Sequence, residues 1–263
     1  MIRVTLLGTG GSAGVPMIGG PDGRGDWGVC DRDEPMNRRS RSAIHLQGRA
    51  GALLVDTGPD LRGQLLDNAI SQVDAILYTH SHADHITGLD DVRILNRIAG
   101  KPLPAFGAAE TLIDLETRFP YAFRPYKPPG FYRPVLVPHP IEFGQTIDIA
   151  GIPLRLFEQD HGYMRSLGLR IGGFAYSTDV VRLDEAAFAA LAGIDTWVVG
   201  GFQRGPHHTH APLKTVLTWV ERLKPRRTIL THMGVDMDWG WMLANLPDGI
   251  EPGYDGMVLD LPG

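Results

Sequence analysis

The sequence predicts an α/β protein whose sheets are covered by helices. Three observations lead there. Apolar, β-rich runs such as "IRVTLLG", "SAIHLQ" and "GALLVDTG" crowd the first half of the chain. In the second half such runs alternate with segments of helical spacing, the pattern of layered sheets and helices. A composition of 43% hydrophobic and 21% charged residues supplies a sizeable core under a soluble surface. No tandem repeat, low-complexity tract or linker divides the 263 residues, so one domain over 1–263 is expected.

Taken in order, "IRVTLLG" reads as a buried strand, followed by the glycine-rich loop "GTGGSAGVPMIGG". Residues 20–41 are polar and turn-rich and end in the basic run "NRRSR". "SAIHLQ" and "GALLVDTG" form a hairpin, and Pro59 opens a helix with Leu61, Leu65 and Leu66 on one face. "VDAILYTH" is a strand, while "GLDDVRILNRI" and "AAETLIDLETRF" have helical spacing. Residues 118–135 are rich in proline, aromatics and arginine and fit no periodic element. Strands are then expected at "IPLRLFEQDH", "SLGLRI", "GFAYSTD", "DTWVVGG", "RRTILTHM" and "GMVLDL", and helices at "LDEAAFAALAG", "APLKTVLTWVERL" and "MDWGWMLANL".

Several function classes are disfavoured. A net charge of −5 argues against a protein that simply coats nucleic acid. No apolar run approaches the ~18 residues of a membrane span, so no membrane partner is expected. The opening strand carries no signal-peptide pattern, and one cysteine, Cys30, allows no internal disulfide, so a reducing cytoplasm is expected. A homo-oligomer is compatible with all of this.

The chemistry concentrates at "THSHADH". His80 and His82 are two apart at a strand end and point the same way. Asp84 and His85 follow at the turn, so one loop offers ligands to two ions. Zinc and manganese both accept such nitrogen and oxygen donors. Four residues do not complete two shells. His161, Asp179 and His232 each end an apolar, β-rich run and repeat the geometry of a ligand at the C-terminal end of a strand.

"THSHADH" followed by His161, Asp179 and His232 resembles the H-x-H-x-D-H signature and ligand order of the metallo-β-lactamase superfamily. The resemblance spans essentially the whole chain. It implies an αββα sandwich with a two-metal site at one edge and two divalent ions, Zn or Mn, as cofactors. Carried over, His80, His82 and His161 bind the first ion, Asp84, His85 and His232 the second, and Asp179 bridges them. Asp56 in "LLVDTG" matches an early aspartate that supports the cluster from outside the ion shells.

Within the superfamily, "LLGTGGSAGVP" is similar to the opening of the phosphodiesterase branch, which includes phosphoribosyl cyclic phosphate phosphodiesterases and tRNA 3′-processing endoribonucleases. That branch has an aspartate at the position of Asp179, where lactam hydrolases commonly have cysteine. "HTHAPLKTVL" resembles the stretch carrying a catalytic histidine of the cyclic phosphodiesterases and places it at His210; His207 and His208 are weaker candidates. The tail "EPGYDGM" is similar as well. The early loop departs from the family. Only Cys30 remains where several cysteines can hold a structural zinc, and Val235 stands where its histidine would be, so no third ion is expected.

The resemblance therefore implies a two-metal phosphodiesterase, with Asp84 and His210 as catalytic residues and a small cyclic or nucleotide-like phosphodiester as substrate. RNA processing is the alternative, and a non-catalytic carrier role a third. In residues 118–135, Arg118, Arg124, Lys127 and Arg133 interleave with six aromatics. They suit either a lid that stacks on a base or a passive cover loop. Arg38, Arg39 and Arg41 suit either a phosphate clamp or a solvated basic turn. "GTGGSAG" lacks the lysine-serine ending of a triphosphate loop and reads as backbone lining the site.

Overall fold

The computed structural model describes residues 1–261. The first half of the chain runs β1 (Ile2–Gly8), β2 (Ala43–Gln47), β3 (Ala52–Val55), α1 (Leu61–Asp67), β4 (Ala75–Leu77), α2 (Ala83–Ile86), α3 (Val92–Ala99), β5 (Leu103–Ala108), α4 (Ala109–Arg118) and β6 (Leu136–Ile141). The second half runs β7 (Thr146–Ile149), β8 (Ile152–Asp160), β9 (Arg165–Ile171), β10 (Phe174–Ser177), α5 (Glu185–Leu191), β11 (Thr196–Gly200), α6 (Leu213–Leu223), β12 (Arg227–Thr231), α7 (Trp239–Asn245), β13 (Ile250–Pro252) and β14 (Met257–Leu261).

Two seven-stranded sheets result, ordered β14-β1-β2-β3-β4-β5-β6 and β13-β12-β11-β10-β9-β8-β7. In each, one part is antiparallel and the other parallel: β3 to β6 in the first, β10 to β13 in the second. Parallel neighbours need a crossover, and the helices supply it.

The strands are apolar on both faces, and that dictates the layering. Along β3, Leu53 and Val55 face the core between the sheets while Leu54 faces the helices. Along β11, Val198 enters the same central core and Trp197 and Val199 face the other way. Leaving either face bare would forfeit about 1.5–3 kcal/mol per buried Val or Leu. Leu61, Val92, Leu95 and Leu115 therefore cover the first sheet, and Phe188, Val216, Trp219 and Met242 the second. The predicted sandwich with helices outside is the fold observed.

Four strands escape the sequence reading: β5, β6, β7 and β13. Three of them are sheet edges, where proline is tolerated and patterning is weak. "LVPHPI" in β6 carries two prolines, and Pro104 in β5 lies beyond the β4 pairing, which begins at Ala105. Leu66 is also misplaced by the sequence reading: Leu61 and Leu65 are buried, but Leu66 is 63% exposed, five positions round from Leu61.

Residues 119–135 fold down as a cover. Phe119, Tyr121 and Phe123 pack against the helix-side core. Tyr126 and Phe131 stack on each other, 4.4 Å between centroids. The Arg133 guanidinium is spent on the carbonyls of Arg124, Pro125 and Pro134. Among the described residues no helix is long and apolar enough to cross a membrane.

Candidate metal centre

The strands bring the seven predicted ligands to one edge. Asp56 follows β3 and the His80–His85 loop follows β4 in the first sheet; Asp179, His210 and His232 follow β10, β11 and β12 in the second. β8 is antiparallel to β9, which is antiparallel to β10, so β8 runs with β10 and delivers His161 to the same edge.

Two groups form there: His80, His82, His161 and Asp179; and Asp84, His85, Asp179 and His232. Within each, one donor atom per residue lies within 4.8 Å of the others, and Asp179 belongs to both. Its Oδ1 stands 3.4 Å from His161 Nε2 and 3.3 Å from His232 Nε2, and its Oδ2 3.0 Å from His85 Nε2.

Hydrogen bonds outside the groups fix which nitrogen faces the centre. Thr79 Oγ1 donates to Asp56 Oδ2 (2.8 Å), so at 3.0 Å it accepts from His80 Nδ1. Thr178 Oγ1 likewise donates to Asp179 Oδ2 (2.6 Å) and accepts from His232 Nδ1 (3.4 Å). His161 Nδ1 donates to the Thr209 carbonyl (2.8 Å), and His85 Nδ1 to Asp56 Oδ2 (2.7 Å). Each of these four rings thus turns Nε2 into the centre. His82 differs. Its Nδ1 faces His161 Nε2 at 3.1 Å, and among the described residues nothing holds its other nitrogen.

The centre fits divalent ions on its own geometry. Buried His80 Nε2, Asp84 Oδ2, His85 Nε2 and His232 Nε2 have no hydrogen-bond partner, although all point at one space. Orphaned buried polar atoms are costly unless something binds them. Imidazole and carboxylate donors are the set that zinc and manganese take.

Electrostatics agree. Burial lowers the pKa values of His80, His82 and His232, so their lone pairs are free. Burial pushes Asp179 upward, but His232, His85 and His80 outweigh it and hold the carboxylate well below its ordinary range. Burial also pushes His85 down, yet Asp179, Asp56 and Asp84 raise it well above its ordinary value. Asp56, Asp179 and His232 adopt left-handed backbone, with φ of 67°, 49° and 53°. Such strain costs roughly 1–2 kcal/mol per residue and gathers where function holds it in place.

His210 sits beside the centre, 9% exposed, with its Nδ1 3.9 Å from Asp179 Oδ1. Its ring lies 4.9 Å from the rings of His161 and His232 and stacks on Phe202 at 4.7 Å. Burial, with His232 adding to it, pushes its pKa down to about 3, so the ring is neutral at pH 7. His207 is an exposed neighbour, 5.0 Å from His210; His208 is exposed and makes no ring contact with the group.

The "NRRSR" arginines each meet a different local partner. Arg39 is 2% exposed and lies against Cys30, Arg41 pairs with Asp60 at 3.0 Å, and Arg38 lies over Trp27. Cys30 donates to the Val235 carbonyl and joins neither ligand group.

Sequence reasoning missed the groups that orient the ligands: Thr79, Thr178, the Thr209 carbonyl and Phe202. A signal was present. Threonine immediately precedes His80, Asp179, His210 and His232, and a hydroxyl next to a ligand is well placed to relay a hydrogen bond.

The chain is similar to several known proteins. The chain is similar to the octanoyltransferase of Porphyromonas gingivalis, 30% identical over all of this chain, but it spans only 52% of that protein's length. It is similar to a crystal structure described as a new diphosphatase from the PhnP family, 33% identical with a TM-score of 0.89, covering 100% of this chain and 98% of the other. The short form of human tRNase Z shares the fold at 17% identity and a TM-score of 0.68, covering 99% of each chain. The family described as the beta-lactamase superfamily domain matches residues 52–233, from the strand before Asp56 to just past His232, and the chain belongs to that family.

Proposed function

We propose that this chain hydrolyses small phosphodiesters, cyclic or nucleotide-like, with two divalent ions, Zn or Mn, bound at the paired ligand groups. It is a metal-dependent hydrolase, and the finer reading rests on one observation: two four-residue donor groups share a single carboxylate, Asp179. A shared carboxylate would let two ions sit close together, and two-metal sites of that kind supply charge stabilisation for phosphoryl transfer. The diphosphatase relative, similar over the whole chain, supports a phosphorus substrate.

His80, His82 and His161 would hold one ion, Asp84, His85 and His232 the other, with Asp179 between. When bound, such ions supply Lewis acidity and a water activated at neutral pH. The chain's own residues do the rest. Asp84 is held anionic by His85 against its burial and is 8% exposed, so it orients the attacking water by accepting its hydrogen bond. His210, neutral and backed by Phe202, donates a ring N–H to the substrate oxygen on which charge develops. Its low pKa makes it a hydrogen-bond donor and not a resident cation. The folded-down 119–135 segment, with Arg133 already engaged, favours a small substrate over an RNA body.

The test is a substrate panel on metal-loaded protein: bis-para-nitrophenyl phosphate, cyclic nucleotides, a nucleoside diphosphate derivative, a β-lactam and an octanoyl thioester. Phosphodiester turnover that is lost on chelation and regained with Zn or Mn is expected. Octanoyl thioester or lactam turnover without phosphodiester turnover would replace this reading, and metal binding without any turnover would indicate a carrier role.

A further inference from the structure

Of the five ligand-type histidines, His82 alone lacks an outer partner for its ring. His80, His85, His161 and His232 are each held at Nδ1 by a threonine, a carboxylate or a carbonyl. His82 is also the only member of its group that is not fully buried. Its one ring contact, with His161 Nε2 at 3.1 Å, lies inside the group, so no outer hydrogen bond orients the ring and the backbone just before it carries more of that task.

That backbone is braced from α4. Ser81, 2% exposed, lies between His80 and His82. Its hydroxyl donates to Asp114 Oδ2 at 2.6 Å, and its carbonyl accepts from Arg118 Nη1 at 2.8 Å. Asp114 and Arg118 are four residues apart on one helical face and stand 3.8 Å from each other. Both groups of the Ser81 residue that could let the loop swing are thereby tied to a helix packed on the sheet through Leu112 and Leu115. The carbonyl of Ser81 belongs to the peptide that leads into His82, so the Arg118 bond fixes the plane from which the His82 side chain departs.

We propose that Asp114 and Arg118 are positioning residues for the first ion. They do for His82, through the Ser81 peptide, what Thr79, Asp56, Thr209 and Thr178 do directly for the other four rings. The pair is half-exposed, 46% and 48%, so as a bare surface ion pair it would contribute little to stability. Its work is the placement of one ligand. This inference rests on the reading that the two groups hold ions.

The experiment is zinc binding by competition with a chromophoric chelator, on wild type, Arg118→Ala, Arg118→Lys and Asp114→Ala, with melting of the chelator-treated proteins alongside. Lost outer partners of metal ligands typically cost 10–100-fold in affinity. Arg118→Ala and Asp114→Ala should weaken one of the two ions by roughly that factor, leave the other unchanged and leave the metal-free melting curve unchanged. Arg118→Lys, which keeps one donor for the Ser81 carbonyl, should recover part of the loss. Two ions bound at wild-type affinity by both alanine variants overturns the proposal. So does equal weakening of both ions together with a lowered metal-free melting temperature, the mark of a merely structural contact. Should Arg118→Ala not fold, Asp114→Ala, which removes only the acceptor of the serine hydroxyl, decides alone. Wild type that binds no zinc removes the two-ion reading itself, a result distinct from any of these.

Discussion

The two ligand groups share a carboxylate and little else. Every member of the Asp84–His85–Asp179–His232 group is buried, and its central ring, His85, is gripped by Asp56 at 2.7 Å. The His80–His82–His161–Asp179 group is open on one side, at His82, and borrows its order from a helix through Ser81. The Asp84 group thus contains a carboxylate-held ring, His85, and the His80 group a ring placed by loop geometry, His82. The comparison teaches that two sites built from the same residue types differ in how much of their shape the metal itself must supply. The closed group is expected to hold its ion tightly and the open one to exchange its ion and face the substrate.

The largest effect should come from the residue that joins them. Asp179→Ala removes a donor from both groups and leaves His85 facing fewer anions. Elemental analysis should find both ions lost and phosphodiester turnover at background. Retention of one ion at full occupancy would show that the groups are more independent than a bridging carboxylate allows.

His210 comes next, because it tests the open side without touching either group. His210→Ala should keep both ions and lower kcat by roughly 10²–10⁴-fold. The loss should be smaller for para-nitrophenolate leaving groups, which need little help in departing. Loss of an ion would make His210 a ligand, and undiminished activity on every substrate would move attention to His207.

Asp56→Asn sharpens the contrast itself. Asn keeps the size and can accept from Thr79 or from His85, but it brings no negative charge to the ring. Affinity for the second ion should fall by about 10–100-fold, with the first ion little changed. Equal losses in chelator competition would dissolve the distinction between a carboxylate-held and a loop-held group.

How much of this was legible in the sequence follows the same division. The layered fold could be read because strand periodicity of two and helix periodicity near 3.6 are written locally, and β3 or β11 carries both faces in consecutive residues. The edge strands could not, since β6 and β13 contain proline and depend on a neighbour for their pairing. The crowding of histidine and aspartate in "THSHADH" is local and conspicuous. The convergence of His161, Asp179 and His232 on it rests on strand direction, which only the sheet topology supplies. The Ser81 brace lies further still from view: Asp114 and Arg118 look like any i, i+4 pair on an exposed helix face. The arginines of "NRRSR" left two readings open for the opposite reason. A basic run suggests an anion, and nothing local says that Arg39 turns inward against Cys30 while Arg41 meets Asp60.

The smallest expected effect is the most discriminating between the groups, and it is a matter of protons. Without metal, Asp179, Asp56 and Asp84 raise the His85 pKa well above its ordinary value despite burial. The ring is thereby biased towards its doubly protonated form, with the second proton on Nε2, since Nδ1 already donates to Asp56. An ion taking that nitrogen must expel this proton. His80 and His82 are held below their ordinary values, chiefly by burial, and have no such proton to give. Binding of the second ion should then release about one proton per chain, and its affinity should rise by up to about tenfold per pH unit below the His85 pKa. The first ion should show little slope above pH 7. Calorimetry in two buffers of different ionisation enthalpy measures the proton count directly. In Asp56→Asn, where one of the anions that raise His85 is gone, the released proton should diminish along with the affinity. Equal pH slopes for both ions, or no proton released at all, would mean that the carboxylate-held ring is not what distinguishes the closed group from the open one.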